Sequence, residues 1–131
     1  MSAYLLDTTV LVDHALGRFG ASDLLLELFA ETGDIYTADA VVAEALSKGS
    51  DEELRSIERL IDALEYVSTS PTAARFAGAV RRRRGQTSGR RLADALVAGV
   101  ADSLGATIVT RNPKDFEAMG VPVLRYGQPP A

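Results

Sequence analysis

The sequence predicts an α/β fold, a three-layer sandwich around a mostly parallel central sheet of about five strands. Three observations predict it. Short apolar or β-branched runs alternate with longer stretches at helical spacing along the whole chain. Gly, Pro and Asn punctuate the boundaries between them. No repeat, linker or shift in composition divides the 131 residues, so a single domain over residues 1–131 is expected, long enough to bury a real core.

Tyr4-Leu5-Leu6-Asp7 reads as a short buried strand, and Thr8 to Ala15 continues as a helix with Val10, Leu11 and Ala15 near helical spacing. Gly17 and Gly20 mark the following turn. Ala21 to Thr32 is a second helix with Leu24, Leu25, Leu28 and Phe29 on its inner face, stopped by Gly33. Asp34-Ile35-Tyr36-Thr37 is a second strand. Asp39 to Lys48 is a third helix, with Asp39 as its cap and Gly49 as its end. Ser50 opens a fourth helix, and Glu53 three residues on completes a capping box. Leu54, Ile57, Leu60, Ile61 and Leu64 then form an apolar stripe.

Glu65 to Ser68 is a third strand. Pro71 begins a fifth helix that carries Phe76, Ala77 and Val80 into Arg81–Arg84. Gly85 to Gly89 is a polar loop. Leu92 to Leu104 is a sixth helix ended by Gly105, and Ala106 to Thr110 a fourth strand. Asn112 caps a short seventh helix with Pro113 at its first position. Val121 to Leu124 is the last strand, and Pro122 places it at an edge or at the strand's beginning. The tail from Gln128 is expected to be loose.

The composition excludes several chemistries. There is no cysteine, hence no disulfide, thiolate zinc site or thiol nucleophile, and the absence fits a reducing compartment. One histidine, His14, rules out a histidine-rich metal site. No serine stands in a nucleophile elbow, and no Gly-rich phosphate loop follows a strand. The start lacks a basic leader, and no apolar run reaches the roughly 18 residues of a membrane helix, so a cytoplasmic protein with no membrane contact is expected. The net charge of −4 argues against nucleic-acid binding by bulk charge. Yet seven arginines and no acid fall between Arg75 and Arg91.

Four carboxylates sit beside apolar segments: Asp7 after the first strand, Glu44 within Ala40–Leu46, Asp94 within Leu92–Val97, and Asp115 just past the fourth strand. Each has a bland explanation. Asp7, Asp94 or Asp115 can answer a helix N-terminus, and Glu44 can be a solvated helix residue. Taken together, they suggest one cation site, because acids are seldom buried without a partner or a metal. In α/β sheets such a site lies at the carboxyl ends of the strands. A carboxylate-only donor set suits Mg²⁺ or Mn²⁺. Crowded acids without their ion should have raised pKa values.

These segments also carry a resemblance. Leu5-Leu6-Asp7-Thr8-Thr9-Val10-Leu11-Val12-Asp13 resembles the opening of PIN-domain proteins. Ala43-Glu44-Ala45-Leu46 and Ala93-Asp94-Ala95-Leu96-Val97-Ala98 resemble their second and third acidic motifs. Ile108-Val109-Thr110-Arg111-Asn112-Pro113-Lys114-Asp115-Phe116 resembles the closing one. The motifs fall in the family's order over nearly the whole chain, and the small single domain is similar to the VapC toxins of toxin–antitoxin pairs. The resemblance implies an Mg²⁺- or Mn²⁺-dependent endoribonuclease, a homodimer, and a cognate antitoxin. It carries the metal-ligand and catalytic roles onto Asp7, Glu44 and Asp94. Many relatives have an Asp where Asn112 stands. Asp115 is therefore assigned as the fourth ligand, direct or through water, with Asn112 as a hydrogen-bonding helper. Thr8 and Thr110 have hydroxyls suited to orienting water or a carboxylate.

The expected mechanism is in-line attack on the scissile phosphate by a water that one or two ions activate, leaving a 5′-phosphate and a 3′-hydroxyl. Arg81, Arg82, Arg83 and Arg84, with Arg90 and Arg91, are candidates to grip RNA phosphates, and Arg111 is a second contact. The bland alternative is a solvated basic helix end, or a surface for an acidic partner. Asp13 is read as a structural residue projecting from another part of the surface, and His14 as a surface residue. Two rival functions stand beside the nuclease. An Mg²⁺-dependent phosphatase would often use Asp-x-Asp after the first strand, and Asp7-Thr8-Thr9 lacks the second acid. A non-catalytic PIN-like RNA-binding module would tend to lose acids that this chain keeps.

Overall fold

The computed structural model describes residues 2–86 and 91–127. Arg90, most of the expected polar loop and the tail from Gln128 lie outside them. Five strands form one sheet in the order β3-β2-β1-β4-β5: β1 Tyr4–Leu6, β2 Ile35–Ala38, β3 Glu65–Val67, β4 Thr107–Thr110 and β5 Val123–Arg125. Every pairing is parallel, where the sequence predicted a mostly parallel sheet. Leu5 lies opposite Tyr36 on one side and Ile108 on the other. The chain leaves β1 toward β2 and β3, then returns to place β4 against the other edge of β1. Right-handed crossovers on strands that run outward in both directions put helices on both faces of the sheet. The three layers expected from the sequence result.

The helices among the described residues are α1 Thr8–Leu16, α2 Ala21–Glu31, α3 Asp39–Ala45, α4 Asp51–Asp62, α5 Pro71–Arg83, α6 Leu92–Leu104 and α7 Lys114–Ala118. The inner strands are apolar on both faces because helices cover both. Leu5, Leu6, Ile108 and Val109 are buried, with Val10, Leu11, Val41, Val97 and Phe116 packed around them. Two caps appear as local chemistry dictates. Ser50 Oγ accepts the Glu53 N–H at 3.1 Å, and Ser70 Oγ accepts the Ala73 N–H at 3.1 Å. The second cap was not read from the sequence. Helices α5 and α6 meet where Gly99 lies against the backbone of Ala73. A Cβ on Gly99 would stand 2.2 Å from the Ala73 carbonyl oxygen.

Several boundaries differ from the sequence expectation. The last strand runs Val123–Arg125 rather than Val121–Leu124. Helix α3 stops at Ala45 rather than Lys48. The Ser47 N–H and hydroxyl both turn back onto the Glu44 carbonyl, at 3.2 and 2.7 Å, and so compete with continuation of the helix. Asp39 is the first residue of α3, not its cap. Its carboxylate accepts the Ala40 N–H and, across the fold, the Thr69 N–H and hydroxyl, which ties α3 to the segment after β3. Asn112 does not cap α7. That helix begins at Lys114, one residue later than expected, with Pro113 in the cap position and no side-chain cap bond.

Candidate active site

The site begins at the switch point of the sheet. Strands β1 and β4 are neighbours whose chain continuations lead to opposite sides, so a crevice opens beyond their carboxyl ends. Asp7 follows β1 directly, and its N–H donates to the Val109 carbonyl at 3.0 Å. Thr110 ends β4, is fully buried, and donates its hydroxyl to Asp7 Oδ2 at 2.8 Å. Around this crevice lies a cavity of about 450 Å³ lined by Asp7, Glu44, Asp94 and Asp115, with Thr8, Thr9, Arg91, Asn112 and Phe116. All four predicted acids therefore face one pocket. They come from the end of β1, from α3, from the first turn of α6 and from α7.

The acids differ in depth. Asp7 is buried, Asp94 and Asp115 are half-buried, and Glu44 is exposed. Burial pushes the Asp7 carboxyl up to about 6, with the Thr110 hydroxyl opposing the shift and the charges of Asp94 and Glu44 adding to it. Burial and the neighbouring Asp94 raise Glu44. Burial raises Asp94, and Arg91 partly offsets it. The raised values expected from the sequence are present, with desolvation rather than acid–acid repulsion as the larger cause. Asp7 occupies the N-cap position of α1 but makes no side-chain cap bond, so capping does not account for it.

Among the described residues, no three or more acid or histidine side chains stand close enough to hold a metal ion as they are. Asp115 pairs with Arg91 and, at 3.5 Å, with Arg84. The chemistry of the donors nonetheless fits a hard cation. They are all oxygens, they are desolvated at the floor, and the buried Thr8 hydroxyl stands beside the Glu44 carboxylate.

The arginines divide. Arg82 and Arg83 are exposed on the last turn of α5, Arg81 is half-buried, and Arg84 reaches Asp115. Arg91 is the N-cap of α6, lines the pocket, and has a left-handed backbone with φ 60°. Arg111 does not stand free for phosphate. Its Nε donates to Asp13 at 2.8 Å, and its guanidinium lies over the Phe19 ring. Asp13 is structural as expected, but it is wholly buried rather than on the surface. His14 is half-buried, with Nδ1 2.7 Å from Ser22 Oγ.

Thr9 was missed from the sequence. Its Oγ1 lies 3.4 Å from Asp7 Oδ2 and accepts the Arg111 N–H at 3.2 Å. The one signal for it was its place in Asp7-Thr8-Thr9. The side chain of Asn112 is exposed at the pocket, while its N–H donates to Thr110 Oγ1 at 3.1 Å.

Residues 4–122 match the family model of the PIN domain. The chain is 32% identical over 113 residues to Ribonuclease VapC19 of Mycobacterium tuberculosis, an alignment covering 86% of this chain and 90% of that protein. Among solved structures, it is similar to VapBC2 of Rickettsia felis bound to a promoter DNA fragment, with TM-score 0.76 and 24% identity over 94% of this chain and 98% of that one. The DNA-bound VapBC of Salmonella typhimurium gives TM-score 0.75 and 23% identity over 95% and 98%. The Mycobacterium tuberculosis toxin VapC20, described as cleaving the sarcin–ricin loop, gives TM-score 0.69 and 15% identity over 94% and 99%.

Proposed function

The chain belongs to the PIN-domain family, and from that premise we propose that it is an endoribonuclease, the toxin of a toxin–antitoxin pair, working through a divalent cation. One observation carries the reading: acids from four separate elements open into a single cavity at the sheet's switch point. Asp7, Glu44 and Asp94 would hold Mg²⁺ or Mn²⁺, with the Thr8 hydroxyl beside them. Asp115 takes the outer position, direct or through water, since two arginines compete for it. A bound divalent ion supplies water activation and neutralises charge on the scissile phosphate. The residues supply the rest. Thr110 holds Asp7 in place, Asn112 is a hydrogen-bonding helper at the pocket, and Phe116 walls it. Arg91, with Arg82 and Arg83 on α5, offers positive charge to the RNA backbone beside an acidic pocket that would otherwise repel it.

The partner reading follows the relatives, several of which are VapBC toxin–antitoxin structures. The product of the neighbouring reading frame should co-purify with this chain and suppress its activity. A homodimer is proposed from the family and from apolar side chains left outside, among them Leu26 and Tyr66.

The test is cleavage of a structured RNA with and without EDTA, in wild type and Asp7→Ala. The expected result is Mg²⁺- or Mn²⁺-dependent cutting that leaves 5′-phosphate ends and is lost in the folded variant. Hydrolysis of a small phosphomonoester without RNA cleavage would point to a phosphatase. RNA binding without any cleavage would point to a non-catalytic module. Full cleavage by Asp7→Ala would end the assignment.

A further inference from the structure

Behind the acid pocket lies a second cluster of charge that the cleavage chemistry does not itself use. Asp13, without exposed surface, accepts three donors at 2.8 Å each: Arg18 Nε, Arg111 Nε and the Tyr126 hydroxyl. Burial alone pushes such a carboxyl up, but the hydrogen bonds from Arg111, Arg18 and Tyr126 outweigh it and hold Asp13 below its ordinary range. The Arg111 guanidinium lies over Phe19, 4.2 Å from the ring centroid, and Arg18 lies at 5.4 Å from the same ring. Gly127, with φ +71°, closes the packing, for a Cβ there would stand 3.0 Å from Arg111 Cδ and 3.1 Å from Phe19 Cβ. Four stretches of chain meet here: α1, the α1–α2 turn, the β4–α7 turn and the segment after β5.

The β4–α7 turn is also the turn that addresses Asp7. Its two consecutive N–H groups, of Arg111 and Asn112, donate to Thr9 Oγ1 at 3.2 Å and Thr110 Oγ1 at 3.1 Å. A hydroxyl has one proton to donate. With an N–H already on the acceptor side, that proton is left for the other oxygen in reach. For Thr110 this is Asp7 Oδ2 at 2.8 Å; Thr9 has Asp7 Oδ2 at 3.4 Å, and the Tyr126 hydroxyl of the cluster also hydrogen-bonds it. The path from buried ion pair to carboxylate is therefore continuous.

We propose that the Asp13–Arg111 pair is the positioning device for Asp7: it fixes the turn, the turn's N–H groups orient Thr9 and Thr110, and their hydroxyls hold the Asp7 carboxylate in the attitude that receives the cation. Arg111 and Thr9 are positioning residues in this scheme, and Arg111 is not a contact to RNA. The inference rests on the reading that Asp7 binds a divalent ion. Partners one step behind a metal ligand typically change metal affinity about 10–100-fold when removed.

The test uses the full-length protein and measures Mn²⁺ affinity by electron paramagnetic resonance without RNA, well below each variant's melting temperature. Cleavage kcat and KM are measured alongside. Arg111→Met keeps length and removes the charge. Arg111→Lys restores the charge without the guanidinium geometry. Thr9→Val keeps the three donors to Asp13, gives up the Thr9 contact to Tyr126, and cuts the relay. Arg111→Met and Thr9→Val should each weaken Mn²⁺ binding by about tenfold and lower kcat, with KM for RNA moving less than about twofold. Arg111→Lys should recover part of the loss, and Thr9→Val should melt close to wild type.

Should Arg111→Met fail to fold, Thr9→Val decides alone. Unchanged Mn²⁺ affinity and kcat in Thr9→Val would overturn the proposal and leave the cluster with stability only. A raised KM in Arg111→Met with intact Mn²⁺ affinity would overturn it in favour of an RNA contact. Wild type that binds no Mn²⁺ would overturn the metal reading at its root, an outcome separate from any difference among variants.

Discussion

Among the four acids of the pocket, Asp7 is the one that is buried. An acid with a folded pKa above its unfolded value binds a proton more readily in the fold, so ionisation costs stability. For Asp7, at 3.8 in the ordinary case and about 6 here, the metal-free protein keeps its full stability with respect to this group below 3.8. It loses up to about 3 kcal/mol as pH rises toward 6, and no more above that. Asp7→Asn removes the loss. In EDTA the variant should melt above wild type at pH 7 and converge with it near pH 4, as thermal scans across that range will read. A variant that melts at or below wild type at pH 7 would contradict the desolvated carboxylate.

The candidate acids were legible at this scale because each sits against an apolar run, an unusual place for a charge. Their burial order was not legible, nor was Thr9. A threonine's role depends on what lies across the fold, here a backbone N–H 102 positions away. The fate of Arg111 was hidden for the same reason. Locally it stands beside Asn112 and a strand end, like a phosphate contact, and only the packed structure brings buried Asp13 within 2.8 Å.

Helices α5 and α6 carry the arginines and Asp94, and their contact depends on a missing methyl group. Gly99→Ala would drive a Cβ onto the Ala73 carbonyl. The helices must then separate, at a cost of about 1–3 kcal/mol by urea denaturation, and cleavage should fall with the displacement of Asp94. Ser70→Ala removes the cap of α5 and should cost about 1 kcal/mol in the same assay without altering kcat. Arg82 and Arg83 are exposed on the last turn of α5. Converting both to Gln should raise KM for RNA and flatten the dependence of binding on log salt by about one to two units. An unchanged salt slope would assign these arginines to the solvated helix end instead.

Elements and their order were readable because periodicity and caps act within a few residues. Helix α6 appears as expected, Leu92–Leu104, with Gly105 in the left-handed region at its end. One end that shifted is decided by a side chain, as Ser47 cuts α3 short. Neither the parallel pairing of every strand nor the β3-β2-β1-β4-β5 order has a local signal, since register is set by packing between distant segments.

At the scale of the molecule, a cation that gathers the acids should stabilise the fold by mass action, about 2.7 kcal/mol at a hundredfold excess over Kd. Mn²⁺ should therefore raise the melting temperature, EDTA should reverse the rise, and Asp94→Asn should reduce it. Light scattering should give twice 13.9 kDa for the proposed homodimer. Among the described residues no helix is long and apolar enough to cross a membrane, in line with the sequence.

The contacts that steady the first acid reach nearly end to end: Thr110 meets Asp7 across 103 positions, and Tyr126 meets Asp13 across 113. A nascent chain emerging from the ribosome presents Asp7 early, but it cannot complete the cradle until Thr110 and Tyr126 have also been made. For an enzyme that cuts RNA, such an arrangement delays competence until these distant segments have met.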